Sequence, residues 1–171
     1  MPMLDAYIPE GALSPEAEKG LISDLTDLLL QHEGVDPSNE RARSIAWVFV
    51  HRSEMFVGGA PAEAPLYRFI AQVPEGQYDD ERRAAVTVAM TQALVRAEQG
   101  KWEDPEERIW VFTNEIPDGT WGARGKIFRL PDIAGFVFGE PGRHAAEERL
   151  AERQRQTATT LRADSPEAAS A

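Results

Sequence analysis

The chain has 171 residues, and its 18 basic against 29 acidic side chains leave a formal charge of −11. That length suits one domain with a sizeable core, and 42% apolar with 27% charged residues excludes a collagen-like chain and leads us to expect neither disorder nor a membrane span over most of its length. The absence of cysteine removes disulfides, thiolate metal sites and cysteine nucleophiles.

From Arg143 onward five basic and five acidic residues balance, so the negative charge lies upstream. Such a surface repels a phosphate backbone, and neither nucleic acid nor a membrane is expected as a partner. The opening Met-Pro-Met-Leu-Asp-Ala-Tyr-Ile lacks the basic flank and long apolar run of a secretory signal, and a cytoplasmic location is expected.

Met3 to Ile8 reads as a short strand and Pro9-Glu10-Gly11 as a turn. Ser14-Pro15 then supplies a helix cap with proline at the first helical position. Leu21, Leu25, Leu28 and Leu29 recur at helical spacing, predicting a helix from about Pro15 to His32 that Gly34 stops. Ile45 to Val50, β-branched and aromatic, is a second strand. Glu54 to Pro65, with Gly58-Gly59 and two prolines, reads as a hairpin and linker. Leu66 to Val73 is the third strand. Asp79 caps a second helix whose apolar stripe is Val86, Met90, Ala93, Leu94 and Ala97, and Ile109 to Thr113 is the fourth strand. Beyond a turn-rich loop, Lys126 to Leu130 suggests a short strand and Pro131 to Phe138 an apolar cap. Arg143 to Arg162 suits a charged helix, and Ser165 to Ala171 is expected to be disordered.

These elements repeat. Ile8-Pro9-Glu10-Gly11 returns as Val73-Pro74-Glu75-Gly76, offset by 65, and Trp47-Val48-Phe49 as Trp110-Val111-Phe112, offset by 63. Two matches in the same order mark a duplicated strand-helix-strand unit. Each unit should join two parallel strands by a right-handed crossover. The expected fold is α/β (α+β): tandem β-α-β units, about 2–57 and 65–130, forming a four-stranded sheet with two helices on one face. They make a domain of residues 1–142, followed by a charged helical or disordered tail, 143–171. One parity of each strand must point away from the helices, so Trp47, Phe49, Trp110 and Phe112 predict an uncovered apolar face and a homo-oligomer.

Pro2 is the first residue with chemical promise. Proline permits removal of the initiator methionine, which would expose a secondary amine at the start of a strand. Desolvation weakens such an amine's hold on its proton, fitting it to act as a general base or as a nucleophile on a carbonyl. Arg52, Arg124 and Lys126 are each either surface charges or carboxylate ligands, a guanidinium being suited to bidentate carboxylate binding. Asn114 serves a turn or donates to a developing enolate oxygen. Glu40 is a polar loop residue or has a catalytic role. His32, His51 and His144 are scattered, so no metal site is expected. Gly119 to Lys126 misses a phosphate loop, because its first glycine is a residue early and Ile127 stands where serine or threonine is required.

An N-terminal proline opening tandem strand-helix-strand units resembles the tautomerase superfamily, in its fused, long-subunit branch. Ala12-Leu13-Ser14-Pro15 with Thr26-Asp27, Phe56-Val57-Gly58-Gly59, and Ile109-Trp110-Val111-Phe112 followed by Glu115-Ile116-Pro117 are similar to the cis-3-chloroacrylic acid dehalogenase family. Gly34-Val35, Asn39-Glu40-Arg41, His51-Arg52 with Glu54-Met55, and Trp121 with Arg124-Gly125-Lys126 resemble the malonate semialdehyde decarboxylases. The resemblance runs from Pro2 to roughly Gly142. It implies a MIF-like fold, a homotrimer, no cofactor, and Pro2 as a catalytic amine acting on a small 2-oxo or enol carboxylate held by cationic residues. Positions aligned with the dehalogenase's helpers hold Leu29, Pro74, Gln77, Phe112 and Ala123, which argues against dehalogenation. Glu40 aligns with an acid that positions water in the decarboxylases, whose arginine pair has no counterpart in Val73 to Gln77. The resemblance therefore implies a keto-enol tautomerase with Pro2 as base. The alternatives are a hydratase or decarboxylase with Pro2 as acid and Glu40 on water, or a non-catalytic relative.

Overall fold

A computed structural model describes residues 2–163, with side chains through 160. The expected disordered segment, Ser165 to Ala171, lies outside the described residues. The chain forms two compact units: Met1–Val73 with Tyr78–Asn114, and Pro74–Gln77 with Glu115–Ala171.

The first unit is built on strands β1 (Met3–Tyr7) and β2 (Trp47–His51), joined through helix α1 (Pro15–His32) and a helical turn α2 (Glu40–Arg43). A small hairpin follows, β3 (Phe56–Val57) with β4 (Ala60–Pro61), then β5 (Tyr67–Pro74), α3 (Asp80–Glu98) and β6 (Ile109–Ile116). The sheet order is β2-β1-β5-β6. β1 runs parallel to β2, with Met3 opposite Trp47, and antiparallel to β5, with Met3 opposite Gln72.

Local chemistry sets the helix ends. Ser14 Oγ accepts from the Ala17 N–H at 3.1 Å and Asp79 Oδ1 from the Arg82 N–H at 2.7 Å, satisfying first-turn donors that have no partner inside the helix. At the end of α1 the Gly34 N–H reaches the Gln31 carbonyl and the Val35 N–H the Leu30 carbonyl, both at 2.9 Å. This closure needs a left-handed residue, and Gly34 supplies φ +78°.

Strand alternation divides the sheet. Leu4, Ala6 and Ile8 with Tyr67, Phe69, Ala71 and Val73 point to the helices, packing on Leu21, Leu25 and Leu29 of α1 and Val86, Met90 and Leu94 of α3. The opposite parity carries Trp47 (61% exposed), Phe49 (44%), Trp110 (70%) and Phe112 (43%). This is the uncovered apolar face that the alternation predicts.

Several boundaries differ from expectation. α2 continues through turn hydrogen bonds as far as Ala46, so β2 begins at Trp47, not Ile45, and runs on to His51. Lys126 to Leu130 is shorter as a strand: β7 (Trp121–Ala123) pairs with β8 (Lys126–Phe128), and Leu130 already belongs to α4 (Leu130–Phe138). The second unit ends in α5 (Glu140–Ala163), which begins before the expected Arg143. Residue 142, where the composition changes, lies inside α5. At Gly142 an added Cβ would stand 2.4 Å from Phe138 Cβ, so only glycine allows α5 to turn so closely past α4.

Candidate active site

Pro2 stands immediately before β1 with its side chain fully buried. Its carbonyl accepts from the Trp47 N–H at 3.4 Å, and the register places it beside the start of β2 and the far end of β5. The backbone is therefore fixed on one side by the sheet, and the ring is shielded from water. A free amine at this point would be penalised in its protonated form by desolvation.

Glu40 is the first residue of α2 and is exposed; Asn39 Oδ1 caps that turn by accepting from the Ala42 N–H at 3.1 Å. Because α1 returns the chain to the end of the sheet where β1 and β2 begin, Glu40 lies at the same end as Pro2. Arg52 does not. It follows β2, and its Nη1 donates to the Ile8 carbonyl at 3.3 Å, which puts it a strand length, about 20 Å, from Pro2 of its own chain. Its guanidinium also donates two hydrogen bonds to Glu18, at 2.8 and 2.7 Å. These bonds raise its pKa further above the ordinary arginine value, although partial burial opposes them.

Asn114 follows Trp110 and Phe112 on the open-face parity of β6 and is exposed. Arg124 occupies the tip of the β7–β8 hairpin. It and Gly125 are the two loop residues, with φ of +51° and +71°, as a two-residue hairpin of this type requires. A cleft of about 680 Å³ opens at the Arg52 end of the sheet, lined by Pro9, Glu10, Arg52, Phe56, Pro65 and Trp102 among others. It lies at the opposite end of β1 from Pro2. Among the described residues no three His, Asp or Glu side chains gather into a metal-ligating group, and no helix is long and apolar enough to cross a membrane.

The open sheet face carries a polar row that the sequence reading did not assemble. Asp5 Oδ1 meets His51 Nε2 at 2.6 Å, and Asp5 Oδ2 accepts from Gln72 Nε2 at 2.8 Å. Tyr7 stacks on His51 with ring centroids 4.4 Å apart, and the Arg68 guanidinium lies 3.9 Å over the Tyr7 ring. The period-two alternation from Met3 to Tyr7 and along Leu66 to Val73 holds the signal for this row, since Asp5, Arg68 and Gln72 all fall on the parity opposite the core. On the helix side, Glu98 is buried against Arg108 and accepts the Tyr67 hydroxyl at 2.7 Å. Burial, then this bond to Glu98, pushes the Tyr67 phenol well above its ordinary pKa. With all its members paired, this cluster is a structural lock.

Comparison with known proteins agrees with this architecture. The family model for tautomerase enzymes matches residues 70–130. No curated protein sequence matches the chain significantly. Among solved structures, a fused 4-OT described as a wild-type asymmetric trimer is 19% identical, covering 73% of this chain and 94% of its own, with a TM-score of 0.60. A member of the cis-3-chloroacrylic acid dehalogenase family is 17% identical, covering 86% and 97%, with a TM-score of 0.63. A macrophage migration inhibitory factor from Toxoplasma gondii is 16% identical, covering 74% and 99%, at 0.57. The sequence match lies across β5, α3, β6 and the β7–β8 hairpin, and these solved structures share the fold that spans both β-α-β units.

Proposed function

We propose that the protein is a keto-enol tautomerase in which Pro2, freed of Met1, is the general base. The observation that carries this reading is the full burial of Pro2 at the head of β1, with its carbonyl held by the Trp47 N–H. Such a secondary amine is neutral over a wider pH range than an exposed one and does not swing away from the carbon it deprotonates. It takes a proton from the carbon next to the carbonyl of a small 2-oxo acid and returns it to the enol's oxygen, or runs the reverse sequence.

The substrate is a small carboxylate, and Arg52, Arg124 and Asn114 are the groups offered to it. Arg52 is held by Glu18 a strand length from its own Pro2, so in this reading it serves the amine of a neighbouring copy. Glu40, exposed at the Pro2 end of the sheet, is a secondary acid for the same pocket. The protein assembles as a homotrimer, a reading supported by its uncovered sheet face and by the fused 4-OT relatives described as trimers. No cofactor enters the proton transfer.

The test joins intact mass, to establish loss of Met1, with ketonisation of an aryl enolpyruvate followed by its ultraviolet absorbance. Pro2→Ala is expected to lose about 10²-fold or more in kcat/KM, the range for removing a positioned general base. Equal activity in parent and variant would rule out the amine. Release of malonate semialdehyde or acetaldehyde from propynoate substrates, without enol ketonisation, would instead assign a hydratase or decarboxylase.

A further inference from the structure

We propose that Glu33 is the positioning residue of the Pro2 amine, its buried carboxylate accepting the amine N–H and offsetting the charge that the amine gains when it takes a proton. The inference rests on the tautomerase reading above and adds the group that aims its base. Two acidic residues of the first unit are buried, Glu33 (6% exposed) and Glu98 (3%). They occupy one position of the duplicated unit: Glu33 and Glu98 stand 65 residues apart, as do the helix caps Ser14 and Asp79 and the left-handed stops Gly34 and Gln99. The same offset pairs Pro2 with Tyr67, and both are buried on the helix-facing parity of their strands.

In the second copy of the unit the contact is explicit. Tyr67 donates its hydroxyl to Glu98 at 2.7 Å, and Arg108 completes the ion pair. The register assigns Glu33 the corresponding place over Pro2. The donors that meet Glu98 are replaced in the first copy, with Pro2 for Tyr67 and, at the 63-residue offset of the aromatic triplets, Ile45 for Arg108. The acid is kept, and the cation that loss of Met1 creates at this corner is the prolyl amine. Of the other ionisable groups at this end of α1, His32 interacts with Arg82 and Glu40 is exposed. A neutral prolyl amine has one N–H and one lone pair. With the N–H given to Glu33, the lone pair is turned to the substrate; the C–H bond breaks as the new N–H bond forms, and its electron pair passes into the enolate. The ammonium so formed keeps a carboxylate beside it, as an imidazolium does in a Ser-His-Asp triad. Burial alone makes that cation costly, and the carboxylate offsets part of the cost.

Nitrogen NMR of proline-labelled protein tests this as a pH titration, since only the nitrogen of an N-terminal proline can take up a proton. Intact mass first establishes that Met1 is gone, and circular dichroism that each variant is folded. Glu33→Gln is expected to lower the Pro2 titration midpoint by about one pH unit or more, the size of effect that removing an adjacent opposite charge has. Glu33→Asp, which keeps the charge on a shorter arm, should fall between variant and parent. The acidic limb of the kcat/KM profile for ketonisation should move with the titration, which a merely structural role for Glu33 would not cause. A Pro2 midpoint unchanged or raised in folded Glu33→Gln would overturn the proposal. Should Glu33→Gln not fold, Glu33→Met is read by the same criteria. Failure of the tautomerase reading is distinguishable, because full activity in Pro2→Ala would defeat that reading while leaving the titration to be read; a chain that keeps Met1 has no prolyl amine and overturns both.

Discussion

Glu98 gives the sharpest test of how the first unit is held together. It lies in the last turn of α3, where a negative charge is disfavoured by the helix dipole, yet it is buried against Arg108 and the Tyr67 hydroxyl. Glu98→Ala leaves a buried guanidinium facing empty space, and breaking a buried pair in this way costs about 3–5 kcal/mol. Arg108 keeps two backbone acceptors, the Glu103 and Pro65 carbonyls, both at 2.9 Å, which draws the loss toward the low end. The stranded Tyr67 hydroxyl adds roughly 1 kcal/mol. A total near 4 kcal/mol corresponds to a fall in Tm of roughly 10 °C for a chain of this size. Urea unfolding followed by tryptophan fluorescence and circular dichroism measures it. Replacing all three residues together, Tyr67→Phe, Glu98→Leu and Arg108→Met, is expected to recover most of the loss, since the penalty comes from the unpaired charge and not from missing attraction. A single Glu98→Ala variant within about 1 kcal/mol of the parent would refute the reasoning, the cluster then being no more than a surface ion pair in effect.

Two further predictions concern charge at the ends of elements. Arg124→Asn removes the cation while placing a residue better suited to positive φ beside Gly125, so stability should hold or rise by about 0.5–1 kcal/mol. If Arg124 binds the substrate carboxylate, the same variant raises KM by about tenfold or more, as loss of a charged hydrogen bond does; an unchanged KM in steady-state ketonisation removes Arg124 from the site. His32, closing α1, has its pKa lowered first by burial and then by Arg82. The folded state thus resists protonation that the unfolded chain accepts near pH 6.5. The His32 contribution is fully present above that value and is lost as pH falls through it toward the lower folded value. Thermal melts from pH 7.5 to pH 5 should therefore fall less steeply for His32→Gln than for the parent; parallel curves would contradict the shift.

The elements most legible in the sequence are those whose signals are local. Ser14-Pro15 and Gly34 bound α1 where expected, and Asp79 caps α3, because caps and left-handed stops act within four residues. The duplicated tetrapeptides and aromatic triplets disclosed the two β-α-β units without reference to any contact. The beginning of β2 was not legible, since whether Ile45 and Ala46 extend a strand or finish a helical turn depends on backbone bonds to Ala42 and Arg43. Pro2 could be placed at the head of a strand, but its burial depends on the tertiary surroundings. The pairing of Arg52 with Glu18, 34 residues earlier, and the meeting of Asp5 with Gln72, 67 residues later, are products of sheet register. No spacing rule along one segment reports them.

The repeated Pro-Glu-Gly turn shows what duplication within one polypeptide permits. Gly11 and Gly76 share a left-handed backbone, φ +72° and +87°, yet nothing approaches the position of a Cβ on Gly11, whereas Gly76 would meet Leu130 Cδ2 and Leu150 Cα at 3.4 Å. One turn remains a rim of the cleft beside Glu10, and its twin has become the seat of a helix. Two identical subunits encoded once could not diverge in this way, because every substitution would fall on both turns. Fusion lets selection act on each separately, so a mutation scan should find Gly11 constrained by backbone conformation alone and Gly76 by conformation and space together.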